Sequence, residues 1–190
     1  MLRKRRYRCD DKENTEDDDE DIVKAIDNKI YFYAEVNTKN VFTLIELLHN
    51  VTKTVCTDYI LIYINSGGGD AYAGFSAMDH IASNKIPVFT VADGMVASAA
   101  TFLLLSGHKK FALPNSYILI HQLSTHFWGK YCDLVDELEN SKCLMQRIKA
   151  LYQKKTKTKS NQLDDMLYKE LIIDANKAKE LGFVDEVKSN

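Results

Sequence analysis

Three stretches of this chain hold residue types suited to nucleophilic chemistry: a serine, a histidine and a glycine run, each placed after a strand-like segment. Ser98 lies in Gly94-Met95-Val96-Ala97-Ser98-Ala99-Ala100. It follows the strand-like Pro87 to Ala92 and leads into an apolar helical run, Ala99 to Leu105, with Gly107 as a stop signal. A hydroxyl at such a turn sits among small neighbours, beside free N–H groups that favour a developing negative charge. The logic is that of a nucleophile elbow, although the Gly-x-Ser-x-Gly pattern is absent. A serine there can equally cap a buried helix. Gly67-Gly68-Gly69 closes the apolar strand Tyr59 to Ile64 and precedes a helix. Without Gly-Lys-Ser/Thr or Gly-x-Gly-x-x-Gly, phosphate cradling has little support. The glycines can instead expose backbone N–H groups as an oxyanion hole, or form a plain flexible turn. Of the five histidines, His49, His80, His108, His121 and His126, only His121 directly follows a buried-type strand, Tyr117 to Ile120. The end of such a strand is where an α/β sheet exposes catalytic groups, although a lone histidine there is also commonly a satisfied core residue.

The elements around these residues alternate. Ile30 to Ala34 reads as a strand, and Val41, Leu44, Ile45, Leu48 and Val51 recur at helical spacing. Tyr59 to Ile64 suits a strand covered on both faces. Ala71 to Ser83 reads as a helix, and Lys110 to Asn115 as a short strand and turn. The repeated alternation predicts an α/β layered domain. Beyond His121 the pattern changes: Leu123 to Tyr131 is irregular, and a long helix is expected from about Asp133 to Lys154. Its apolar positions Leu134, Leu138, Met145, Ile148 and Tyr152 exceed what a small core can use, so it is expected to project and pack on another subunit. A second helix is expected over roughly Asn161 to Glu170. Asp174 is a natural N-cap for a short helix ended by Gly182, and Phe183 to Val187 closes the chain as a strand.

At 190 residues the chain fits one domain with a tail. A net charge of −2, with 45% hydrophobic residues, gives no basis for nucleic-acid or membrane binding. No apolar run reaches membrane-spanning length. Cys9, Cys56, Cys132 and Cys143 form no Cys-x-x-Cys pair, so neither a metal site nor a disulfide framework is expected, and a reducing compartment fits. Residues 1–27 carry Arg3-Lys4-Arg5-Arg6 and the acidic block Glu16 to Asp21, and are expected to be a disordered, solvated arm or a docking arm. The folded domain is expected over 28–190, with the projecting part at about 123–160.

Taken together, four motifs resemble the Clp protease proteolytic subunit (ClpP) family: Tyr63-Ile64-Asn65-Ser66-Gly67-Gly68-Gly69, the Ser98 motif, Phe111-Ala112-Leu113-Pro114-Asn115-Ser116 leading to Ile120-His121-Gln122, and Ala175 to Asp185. The resemblance spans about Lys29 to Val187. It implies the ClpP/crotonase-like α/β fold with a protruding helical handle. It implies a serine endopeptidase with Ser98 as nucleophile, His121 as general base and then general acid, and Gly69 and Ala99 as oxyanion N–H donors. The family's third triad position, an aspartate, falls on Glu170, with Asp174 as rival. The resemblance further implies no metal or cofactor, with ATP used only by a partner AAA+ unfoldase. It implies rings of seven stacked in pairs, unfolded polypeptides as substrates, and a cytoplasmic or plastid-stroma location. An ATPase-independent processing protease and a structural subunit of a mixed ring are the alternatives. The chain departs from the family at Gly67 and Leu123 (usually Pro), Ala100 (usually Gly), Lys169 (usually Arg) and in its N-terminal arm.

Overall fold

The computed structural model describes residues 21–188. An eight-stranded sheet runs in the order β1(Ile22–Ile26), β2(Lys29–Tyr33), β3(Ile60–Ser66), β4(Val88–Ala97), β5(Lys109–Ala112) and β8(Glu186–Val187), with β6(Tyr117–Leu119) on β4 and β7(Ile172–Asp174) on β6. The hairpin β1–β2 and the pair β6–β7 are antiparallel, and the remaining pairings are parallel. The helices are α1(Thr38–Thr54), α2(Ala71–Ala82), α3(Ala100–Ser106), α4(Tyr131–Lys155), α5(Ser160–Lys169) and α6(Ala175–Glu180). Parallel strands joined by crossover helices are what the alternating pattern requires.

Ile30, Phe32, Ile62 and Ile64 alternate along β2 and β3 and are fully buried, as are Leu103, Leu104 and Leu105 of α3. Period-two alternation sends Tyr31 and Tyr63 to the other side of the sheet. There they stack with ring centroids 5.2 Å apart and stay half-buried. Leu61 on that face is buried, so the expectation that β3 is covered on both faces holds fully for the Ile62 face and in part for the other.

Three further differences from the sequence reading have physical causes. The span read as an unstructured arm, 1–27, contains β1: Ile22, Val23, Ala25 and Ile26 supply enough strand character to close a hairpin on β2. The acidic block masked that signal, and residues 1–20 lie outside the described ones. Strand β4 does not stop at Ala92 but continues to Ala97, with Gly94 at φ 80° and the Met95 N–H donating to Asn65 Oδ1 at 3.2 Å. The apolar stripe of α4 also divides. Leu134 and Leu138 are exposed, whereas Ile148, Leu151 and Tyr152 are part of the core. The helix projects only with its first half, and its base is anchored.

Candidate active site

Strand β4 changes partners along its length. Phe89 to Ala92 pair with Lys109 to Ala112 of β5, then Met95 to Ala97 pair with Tyr117 to Leu119 of β6. The switch carries the chain end of β6 alongside the end of β4. One residue on, the Ser98 N–H donates to the Leu119 carbonyl at 2.9 Å. His121, two residues past Leu119, thereby reaches the same cavity as Ser98. This cavity measures about 480 Å3, and Gly67, Gly69, Ala99 and Tyr152 also line it.

Ser98 itself has φ 53°, in the left-handed region that a non-glycine residue rarely adopts. Gly68 packs directly behind it: a Cβ on Gly68 would lie 2.5 Å from Ser98 Cβ and 2.7 Å from the Ala97 carbonyl oxygen. The strained turn and the close backbone approach fix each other. The capping reading of Ser98 does not hold, because the N-cap of α3 is Ala99 and no side chain caps the helix. Gly69, at φ 140°, is held by the flanking bonds Val36 N–H to Gly68 O and Asp70 N–H to Val36 O, both 2.7 Å. Asp70 also caps α2, accepting from Tyr72 N and Ala73 N. Among the described residues the N–H groups of Gly69 and Ala99 have no hydrogen-bond partner. Two unpartnered donors on residues that line one cavity are groups able to hold a developing oxyanion.

The Nδ1 atom of His121 lies 2.6 Å from the Gln122 carbonyl oxygen. A carbonyl only accepts, so Nδ1 carries the proton of the neutral ring and Nε2 keeps its lone pair. That is the tautomer a general base needs. Gln122 in turn is tethered to α5, its N–H donating to the Leu167 carbonyl at 3.1 Å. Among the described residues Ser98 Oγ makes no hydrogen bond to His121, and no carboxylate bonds the imidazole. Glu170 is exposed, outside the cavity lining, and forms the left-handed C-cap of α5 at φ 53°. Asp174 is committed elsewhere: it caps α6, accepting from the Lys177 N–H at 2.8 Å. The structure thus brings together Ser98, His121, Gly69 and Ala99, and leaves Glu170 one helical turn beyond the Leu167 anchor. The Gln122 carbonyl could not be found from sequence, because every residue carries one.

Among the described residues no group of three or more His, Cys, Asp or Glu side chains could hold a metal ion, and no helix is long and apolar enough to cross a membrane.

Comparison with known proteins places this geometry. A family profile described as Clp protease matches residues 13–190. The ATP-dependent Clp protease proteolytic subunit 2 of Treponema denticola is 30% identical over 182 residues, which is 94% of this chain and 91% of that protein. The solved structure of a ClpP1 variant from Listeria monocytogenes superposes with a TM-score of 0.76 at 27% identity, covering 86% of this chain and 92% of the other. With a serine on a strained strand-to-helix turn, a histidine in the same cavity and a match across nearly its whole length, the chain belongs to the Clp protease family and is a serine-type peptidase.

Proposed function

We propose that Ser98, His121 and the backbone N–H groups of Gly69 and Ala99 form the catalytic centre. The observation that carries this reading is their convergence on one cavity with both donors unpartnered. In the acylation step Ser98 Oγ attacks the scissile carbonyl carbon while His121 Nε2 takes the hydroxyl proton. The carbonyl oxygen becomes an oxyanion held by the Gly69 and Ala99 N–H groups. Collapse breaks the C–N bond, and His121 returns the proton to the leaving amine. Water then repeats the sequence on the acyl-enzyme and frees Ser98. The open Ser98–His121 geometry of the free site closes when substrate fills it, as catalytic hydrogen bonds commonly do.

Glu170 is the third member of this proposal. Glu170 lies three residues beyond the Leu167–Gln122 tether, and this role requires its carboxylate to reach Nδ1 in place of the Gln122 carbonyl. It would then stabilise the imidazolium formed during catalysis, which a neutral carbonyl does less well. Asp174 is a poor rival because its carboxylate already holds α6.

The resemblance to proteolytic subunits further supports a compartmentalised protease: rings of seven stacked in pairs, fed with unfolded polypeptide by an AAA+ ATPase, in the cytoplasm or an organelle stroma. The exposed outer half of α4, with Leu134, Leu138 and the fully exposed Trp128 before it, suits such packing between copies. This chemistry calls on no metal or cofactor, and ATP belongs to the partner.

The test is Ser98→Ala. The variant folds and assembles as the parent does, but peptide hydrolysis and labelling by a fluorophosphonate fall by several orders of magnitude. Undiminished turnover would remove Ser98 from the mechanism.

A further inference from the structure

One buried side-chain pair connects the base of α4 with the Ser98 turn, and the catalytic steps above leave it unused. The Thr101 hydroxyl lies 2.6 Å from the Ser98 carbonyl oxygen and 2.7 Å from the Tyr152 hydroxyl. Thr101 is fully buried and Tyr152 is 1% exposed. The Thr101 N–H donates to the same Ser98 carbonyl at 3.0 Å. Phe102 and Phe183 pack on the Tyr152 ring with centroids 6.1 and 6.0 Å away, which fixes its direction.

Proton counting settles which way the bonds run. Each hydroxyl has one proton to give. If Thr101 donates to the Ser98 carbonyl, Tyr152 can donate to Thr101 Oγ1, and both protons are used. If Thr101 donated to Tyr152 instead, the Tyr152 proton would have no acceptor among the described residues, which is costly at full burial. The order is therefore Tyr152 to Thr101 to Ser98 carbonyl. Burial also pushes the Tyr152 hydroxyl above its ordinary value, so it stays protonated and able to donate.

The Ser98 carbonyl and the Ala99 N–H belong to one planar trans peptide and point in opposite directions. Holding that carbonyl in towards α3 thus turns the Ala99 N–H away from the helix. We propose that Thr101 and Tyr152 are positioning residues that hold the Ser98–Ala99 peptide so that the Ala99 N–H meets the oxyanion. This rests on the reading of Ser98 as the nucleophile and adds to it the handle's means of control. Tyr152 also lines the catalytic cavity, so displacement of α4 is felt at the donor through two hydrogen bonds.

The experiment uses the full chain, a fluorogenic peptide amide and a fluorophosphonate probe, with melting temperatures recorded alongside. Thr101→Val keeps the shape but removes the donor. It lowers kcat about ten- to a hundredfold, short of the 10²–10³ for losing an oxyanion donor outright, with KM within about twofold. Thr101→Ser keeps the hydroxyl and recovers most of kcat. Tyr152→Phe leaves the Thr101–Ser98 bond but frees Thr101 Oγ1, so kcat falls about two- to tenfold. A Thr101→Val protein with the parent's kcat, or a Ser variant no better than Val, overturns the proposal. If the Val variant does not fold, Tyr152→Phe decides, and an unchanged kcat refutes it. Failure of the parent itself to cleave or label at Ser98 sinks the nucleophile reading instead, so the two failures are distinguishable.

Discussion

Gly67 and Gly68 are neighbours in one glycine run, yet a methyl group added to each should have opposite consequences. At Gly67 the new Cβ would have nothing within 4 Å. At Gly68 the backbone has φ 100°, and the new Cβ would fall 2.5 Å from Ser98 Cβ, 2.7 Å from the Ala97 carbonyl oxygen and 3.1 Å from Ala99 N. None of these neighbours is the end of a flexible side chain, so the main chain must move. An alanine held at that φ costs about 1–3 kcal/mol, and the overlap adds about 1–3 kcal/mol. For a domain of this size each kcal/mol lowers Tm by about 2–4 °C, so Gly68→Ala should melt on the order of 10 °C lower. Gly67→Ala should stay within about 2 °C of the parent. The moving atoms include the proposed nucleophile and the proposed Ala99 donor. A displacement of about 1 Å at a reacting centre can cost about 10²-fold. Calorimetry and the rate of fluorophosphonate labelling test both halves. If Gly68→Ala matches Gly67→Ala in Tm and labelling rate, the tight packing behind Ser98 is wrong.

Other outcomes follow from particular side chains. Glu170→Gln should lower kcat with Tm unchanged. Asp174→Ala should lower stability by about 1 kcal/mol through loss of the α6 cap, with kcat kept; the reverse pattern would exchange their roles. Charge placed at Leu134 and Leu138 together should reduce assembly without unfolding, because both are exposed; native mass and size measurement check this, and a parent protein that is monomeric at micromolar concentration would refute it. Ile148 is unsuited to that test, since it is core and lines the cavity that holds Ser98. Alkaline stability offers a last test. Burial, ahead of a bond to Asp93, raises the Tyr33 hydroxyl, and burial raises that of Tyr152, each above the ordinary 10.0. Raised values in the folded state mean that their stabilisation is fully present below pH 10 and lost as pH rises beyond it. Denaturation by urea should therefore become easier above pH 10, and less steeply so in Tyr152→Phe.

The α/β alternation, the strand before Gly67, the strand before His121 and the Asp174 cap were legible in the sequence because each rests on local signals: hydrophobic period, glycine runs and capping residues. Ser98, His121 and the Gly67–Gly69 run could be nominated for the same reason, since strand ends and glycines mark themselves, whereas Gly69 and Ala99 as a donor pair came only from the resemblance to the Clp protease family. Strand β1 was hidden by the acidic block beside it, where composition outweighed a five-residue pattern. What the chain order could not supply is pairing. Only the change of partner along β4, from β5 to β6, brings Ser98 beside the end of the strand that leads to His121, and only packing behind it explains why Gly68 must lack a side chain. The partner of the His121 ring is a backbone carbonyl, which no residue type announces. The Tyr152–Thr101 bond joins residues 51 apart through burial in a shared core, and a sequence records that Tyr and Thr are present, not that their hydroxyls meet.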